Sequence, residues 1–285
     1  MAATGPSATA AATAAIVLIA ALAAPSNASE ETAAAKPSCS VSPDGRTLEV
    51  AAVLSTTIVR EGDGLRVGDS SGAVSCAGTP TVTTIDTIAV VSRTGERFPD
   101  VRFDLRGGPF APGATDEGDG SSEIEMNVDP EVDSVRVGGS GRAERITAGR
   151  AAPKTVGINL NADEATADPD LILRKPAQRL FLRLEAGGGG DRLSANGGPG
   201  FDGPVAYGRA PILLAGGGKD RVTGSPGKDV IDAIGGPDVV RALGGNDDVE
   251  TRDRGDDRVV CGPGDDALVA DRGDQRAGCE DETLR

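Results

Sequence analysis

Histidine and tryptophan are absent from this 285-residue chain, and the aromatic side chains amount to one Tyr and five Phe. Without histidine a Ser or Cys nucleophile lacks its usual base and a catalytic zinc lacks its usual ligands, which argues against much hydrolytic and metalloenzyme chemistry. Without large rings, an interior has to come from Val, Ile, Leu and Ala, which suits thin, stacked β-coils. Positive charge is also scarce: 29 basic against 44 acidic residues leave a formal charge of -15. Such a chain repels phosphate backbones and anionic membrane surfaces, so no nucleic acid is expected as a partner, and cations are the natural ones.

Long amphipathic helical patterns are missing too. From Cys39 to about Arg183 the chain instead shows short period-two runs separated by Gly, Pro and Asp, such as Val82–Ile85, Val101-Arg-Phe103-Asp-Leu105, Val135-Arg-Val137 and Leu180–Leu184. These read as strands, and the whole chain as all-β. Within 107–125 lies an acidic, glycine-rich stretch with Asp116, Glu117, Asp119, Glu123 and Glu125, read as a solvated loop with an extra cation site as the alternative.

An apolar run from about Ala14 to Ala24, followed by Pro25, Ser26 and Ala28, fits a cleaved export signal over residues 1–28. The segment before it has no Lys or Arg, a departure from the usual pattern, and the run is short and Ala-rich for a membrane span. An uncleaved anchor and a disordered tail are the alternatives. Residues 29–37 form an expected linker, 38–184 a β-rich region and 185–285 a repeat region. Four cysteines in an exported chain suggest two disulfides.

The repeats carry the most information. Asp220, Asp229, Asp238 and Asp247 fall at intervals of nine, Asp257 follows after ten and Asp266 after nine. Two residues after each Asp stands an aliphatic side chain (Val222, Ile231, Val240, Val249, Val259, Leu268), and two before it a glycine (Gly218, Gly227, Gly236, Gly245, Gly255, Gly264). Six in-phase copies of a three-position pattern are beyond compositional chance. Gly187–Leu193 is a further copy containing Asp191, and Asp133–Gly141 and Glu144–Gly149 read as worn copies.

This pattern resembles the haemolysin-type, RTX nonapeptide repeat over residues 215–279. The resemblance implies a parallel β-roll, two repeats to an eighteen-residue coil, preceded by a β-rich region of degenerate solenoid type. It also implies several bound calcium ions held by the repeat Asp carboxylates and turn glycines: Asp191, Gly218, Asp220, Gly227, Asp229, Gly236, Asp238, Gly245, Asp247, Asp257, Gly264 and Asp266. Glycines allow tight turns that expose carbonyls, and hard oxygen donors at flexible distances suit calcium better than magnesium. Stacked Asp carboxylates about 4.8 Å apart would repel by roughly 3 kcal/mol at an effective dielectric near 20, so metal is expected to assist folding. A metal-free solenoid whose Asp side chains cap turns is the alternative.

Where the copies depart from the pattern, affinity should weaken. The extra residue between Asp247 and Asp257 should interrupt the row, and Gln275 stands where the next Asp is due. On the eighteen-residue coil, Cys261 and Cys279 stack with Cα atoms about 5 Å apart, within disulfide range, which leaves Cys39 to pair with Cys76.

Gly68-Asp-Ser70-Ser-Gly72 matches a nucleophile-elbow pattern, but with no histidine and no strand-to-helix turn it reads as a surface turn. Gly218-Lys-Asp220 and Gly227-Lys-Asp229 lack the Ser or Thr of a phosphate loop and read as repeat positions. The expectation is therefore an exported, non-enzymatic calcium-binding protein, secreted or at the cell surface, with no membrane insertion after signal cleavage and room for a glycan or protein partner. A carbohydrate-acting β-helix enzyme, or an adhesin, with an accessory roll is the alternative.

Overall fold

The computed structural model describes residues 35–284, apart from 94–97, 116–122, 161–168, 175–179 and 207–208. The expected signal peptide, most of the linker, and Asp116, Glu117 and Asp119 of the acidic loop lie outside the described residues. The fold is all-β, with one 3-10 turn, at Leu105–Gly107, among the described residues.

Two long sheets, of 12 and 11 strands, face each other and are built by a chain that passes from one to the other and back. From Arg221 to Val260 each three-residue strand buries its middle aliphatic residue and turns its flanking residues outward, as in Arg221–Thr223, Val230–Asp232 and Val239–Arg241. Pairing is parallel from coil to coil: Val222 lies beside Val240 and Val240 beside Val259 in one sheet, and Leu213, Ile231, Val249 and Leu268 stack in the other. The core between them is one aliphatic side chain deep per strand, completed by small residues at the first repeat position. Ala233, Ala242, Thr251 and Cys261 there are fully buried, so these positions favour small inward side chains over the repeat's glycine.

The region before the repeats continues the same two sheets with longer coils. Thr47–Ala52, Thr87–Ser92, Glu125–Val128 and Leu171–Arg174 are joined in parallel in one sheet. Thr56–Glu61, Asp100–Asp104, Ser134–Gly138 and Phe181–Gly189 are joined so in the other. The worn copies take their expected places, with Val135 beside Leu182 and Ile146 beside Leu193. Phe103 and Phe110 meet edge to face at 6.2 Å within an otherwise aliphatic interior.

Both disulfides form as expected. Cys261 and Cys279 have Cα atoms 5.2 Å apart across one coil, and Cys39 and Cys76 are 4.6 Å apart. Among the described residues no helix is long and apolar enough to cross a membrane.

Candidate functional site

The repeat aspartates form two ladders along the edges of the roll, and every rung is a hydrogen bond from a backbone amide to an Asp carboxylate on the next coil. In the first, the amide of Glu144 donates to Asp191 Oδ1 (2.6 Å), that of Asp191 to Asp220 Oδ1 (2.7 Å), that of Asp220 to Asp238 Oδ1 (2.8 Å) and that of Asp238 to Asp257 Oδ1 (2.8 Å). In the second, Asp229 donates to Asp247 and Asp247 to Asp266, both at 2.8 Å. Each carboxylate thus ties its coil to the one before it.

The ladders correct two expectations. The extra residue after Asp247 does not interrupt either row, because Asp238 still reaches Asp257 and Asp247 still reaches Asp266. That residue is absorbed in the turn at 252–255, where Arg254 takes a positive φ of 78°. There Asp253 accepts from the amides of Gly235, Gly236 and Gly255, and Asp271 from those of Asp253 and Arg254. Gln275 does not end the first row either: Asp274, one residue early, accepts from Asp257 N at 3.1 Å. The following coil step is one residue short, which cancels the earlier insertion. Glu280 closes the second row by accepting from Asp266 N. Neither Asp274 nor Glu280 was visible to a strict nine-residue phase, although a search tolerating single-residue slips finds Asp274.

Asp229 heads its ladder and differs from the rest. The residue one coil upstream is Pro211, which has no amide hydrogen to give; its carbonyl instead accepts from Val230 N. Ser225 fills the gap, donating from its amide and hydroxyl to the Asp229 carboxylate.

The turn glycines have an equally direct cause. A Cβ on Gly218 would lie 1.4 Å from the carbonyl oxygen of Gly189, one on Gly236 1.5 Å from that of Gly218, and one on Gly264 1.6 Å from that of Gly245. Backbones at these turns stack too closely for any side chain. Stacking and the ladder together account for the joint recurrence of Gly and Asp without a cation, so the recurrence alone does not call for metal.

What they leave unexplained is the second oxygen. Oδ2 of Asp191, Asp220, Asp238, Asp247, Asp257 and Asp266 is buried and accepts no hydrogen bond, and all six residues are at most 2% exposed. An ionised oxygen without a partner in such a place is costly. Burial, foremost, lifts the carboxyls of Asp191, Asp220, Asp238, Asp247 and Asp257 above the usual range, offset in part by the hydrogen bond each accepts. Asp191, Asp238 and Asp247 are pushed up to about 6 and Asp257 to about 7, neighbouring carboxylates adding to the rise, while Asp220 is raised as well. Asp229 is pushed up to about 7 by its burial, with Asp247 adding to it against the Ser225 bonds.

Comparison with known protein families, curated proteins and solved structures finds no match to this chain. The chemistry of the ladders therefore rests on their own geometry. Among the described residues no group of three or more His, Cys, Asp or Glu side chains is placed to cage a metal. Carboxylates come one per rung, so a cation here would draw most of its oxygens from backbone carbonyls of the same turns.

Ser70 and Ser71 sit in the turn between strands Gly64–Asp69 and Gly72–Val74, where Asp69 accepts from the amide and hydroxyl of Ser71. Asp170, buried and hydrogen-bonded to Glu123, is pushed up to about 9 by burial and then by that neighbour. It accepts from Leu160 N, as an interior group does.

Proposed function

We propose that this is an exported, non-enzymatic protein that binds several calcium ions along the edges of a haemolysin-type β-roll. One observation carries the reading: six buried carboxylate oxygens in two ordered rows have no protein partner, and they lie in turns crowded with glycine carbonyls. An all-oxygen, mostly neutral donor set with one or two carboxylates fits a large, hard cation of flexible coordination, which is calcium rather than magnesium. Asp191, Asp220, Asp238 and Asp257 would hold ions on one edge, and Asp247 and Asp266 on the other. Bound there, calcium would neutralise the buried charge and so favour the folded roll. Outside the cell, at near-millimolar calcium, even sites with dissociation constants of about 0.1–1 mM fill substantially. Two disulfides and a charge of -15 accord with export and with a cationic ligand.

The test is a titration of the chelated protein with calcium and, separately, magnesium, followed by circular dichroism and calorimetry. The expected result is saturable calcium binding with a gain in β-signal or melting temperature, weakened in Asp238→Asn/Asp247→Asn. Asp229 is a poor probe, since Ser225 already serves its carboxylate. A flat calcium titration with an unchanged spectrum would refute the proposal and leave a metal-free ladder.

A further inference from the structure

The two faces of the roll differ in sign. On the four roll strands Arg192–Ser194, Arg221–Thr223, Val239–Arg241 and Arg258–Val260 of one sheet, the outward positions carry arginine and no acid. Arg145 lies beside Arg192 and Arg192 beside Arg221; Val239 takes the next place in that row, its strand supplying Arg241 instead, and Arg258 follows. On the opposite sheet the outward positions carry Asp232, Asp248 and Glu250, and further along Glu185 beside Arg183; Glu185, Asp248 and Glu250 are ion-paired within the chain.

Arg192, Arg221, Arg241 and Arg258 are all exposed, and none has a side-chain ion pair or hydrogen bond to a described residue. Like charges side by side on neighbouring strands, about 4.8 Å apart, destabilise a sheet unless a counter-charge joins them. A chain with a 15-charge acidic excess has ample carboxylate for these four arginines, yet among the described residues none is paired with them.

From this we infer that the arginine face is a docking stripe for a linear acidic polysaccharide, laid along the solenoid axis so that successive sugar carboxylates meet guanidiniums of successive coils. Guanidinium grips carboxylate in a planar, two-pronged fashion, and a stripe repeating at the coil spacing suits a repeating polymer. Nucleic acids and anionic bilayers fit less well, because the remainder of the surface repels a broad anionic partner, whereas a single thin chain can follow the stripe. The inference rests on the sheet face alone and not on the calcium reading.

The test uses the full disulfide-bonded protein and oligogalacturonates too short to gel, with calcium present throughout. Binding should occur with oligogalacturonate and not with neutral dextran, and it should weaken as salt rises. Arg192→Gln/Arg221→Gln/Arg258→Gln should lose about tenfold or more in affinity and show a salt dependence shallower by about two charges. Asp232→Asn should leave affinity unchanged, which separates the stripe from calcium bridging to the acidic face. If the triple variant melts early, Arg221→Gln and Arg258→Gln singly should each weaken binding about twofold to threefold. Wild-type affinity in these variants, absence of binding, or equally tight binding of single-stranded DNA or anionic vesicles would overturn the inference.

Discussion

Gly236 and Gly227 hold the same repeat position, two residues before a ladder Asp, yet alanine should affect them very differently. A Cβ on Gly236 falls 1.5 Å from the carbonyl oxygen of Gly218, where ordinary contact starts at 3.4 Å. The coils would have to part by about 2 Å, since both groups are backbone. That separation strains three bonds across the same turn: Gly218 N to Gly235 O (2.9 Å), Asp220 N to Asp238 Oδ1 (2.8 Å) and Val239 N to Asp220 O (3.0 Å). At about 1 kcal/mol each, Gly236→Ala should cost roughly 3 kcal/mol, more if the core below opens. Gly227 heads the second row, downstream of Pro211, and its Cβ would meet only Ser225 Oγ at 3.8 Å. Neither glycine has the positive φ that would itself penalise alanine. Gly227→Ala should therefore lie within about 1 kcal/mol of the parent, on the stabilising side if the unfolded chain loses entropy. Urea unfolding of the two variants at fixed calcium, followed by circular dichroism, measures the difference. Equal losses would refute the stacking argument and point to a conformational need for glycine at every copy.

In chelator the ladder should make stability depend on pH. Asp191, Asp229, Asp238, Asp247 and Asp257 titrate at about 6 to 7 when folded and near 3.9 when unfolded, so the folded state holds more protons between these limits. The melting temperature should be highest near pH 4 and fall until about pH 7; a rise over that range would contradict the burial assigned to these groups. The carboxyls held low, such as Asp86, Asp104 and Asp253, act in the opposite sense only below about pH 4. Cys261→Ser/Cys279→Ser, which opens an 18-residue loop, should cost about 3 kcal/mol by the chain-entropy argument, read as a lower urea midpoint. Asp274→Ala leaves the Asp257 amide without its acceptor and should cost about 1–3 kcal/mol, whereas Gln275→Ala, at an exposed position, should be nearly silent in the same melts.

The sequence made the coil legible because its signals are local and repeated: an inward aliphatic residue, a turn glycine and an Asp in constant phase dictate parallel stacking of Val222 on Val240 and Ile231 on Val249. The Cys261–Cys279 bond follows from that phase. Slips were hidden for the same reason. A rigid period has no place for the residue added near Arg254 or for Asp274 standing one position early, and only the folded chain reveals that turns absorb such changes while strands keep register. The partner of each carboxylate was equally hidden, since the rung donor is a backbone amide on another coil. The arginine face is another such case: Arg192, Arg221 and Arg258 are separated by 29 and 37 residues and align only once the insertion between the first two is placed outside the coil.

Proton and calcium compete for the same orphaned oxygen, and that competition makes one substitution decisive. Asn at position 238 keeps an oxygen for the Asp220 amide while removing the charge. In chelator at pH 8 the native carboxylate, with a folded pKa of about 6, is ionised in a buried place, so Asp238→Asn should stabilise by about 1 kcal/mol after allowance for solvent screening and for the amide nitrogen's own lack of a partner. At pH 4, where the native group is protonated, the gain should vanish. With calcium the sign should reverse, because an amide oxygen is the weaker donor and the ion's binding free energy is lost from the folded state. Stabilisation with and without calcium would mean that the ladder works as a metal-free clasp. Destabilisation in both would mean that the carboxylate's second oxygen holds a partner other than a cation, and the ordered row of orphans would need a different cause.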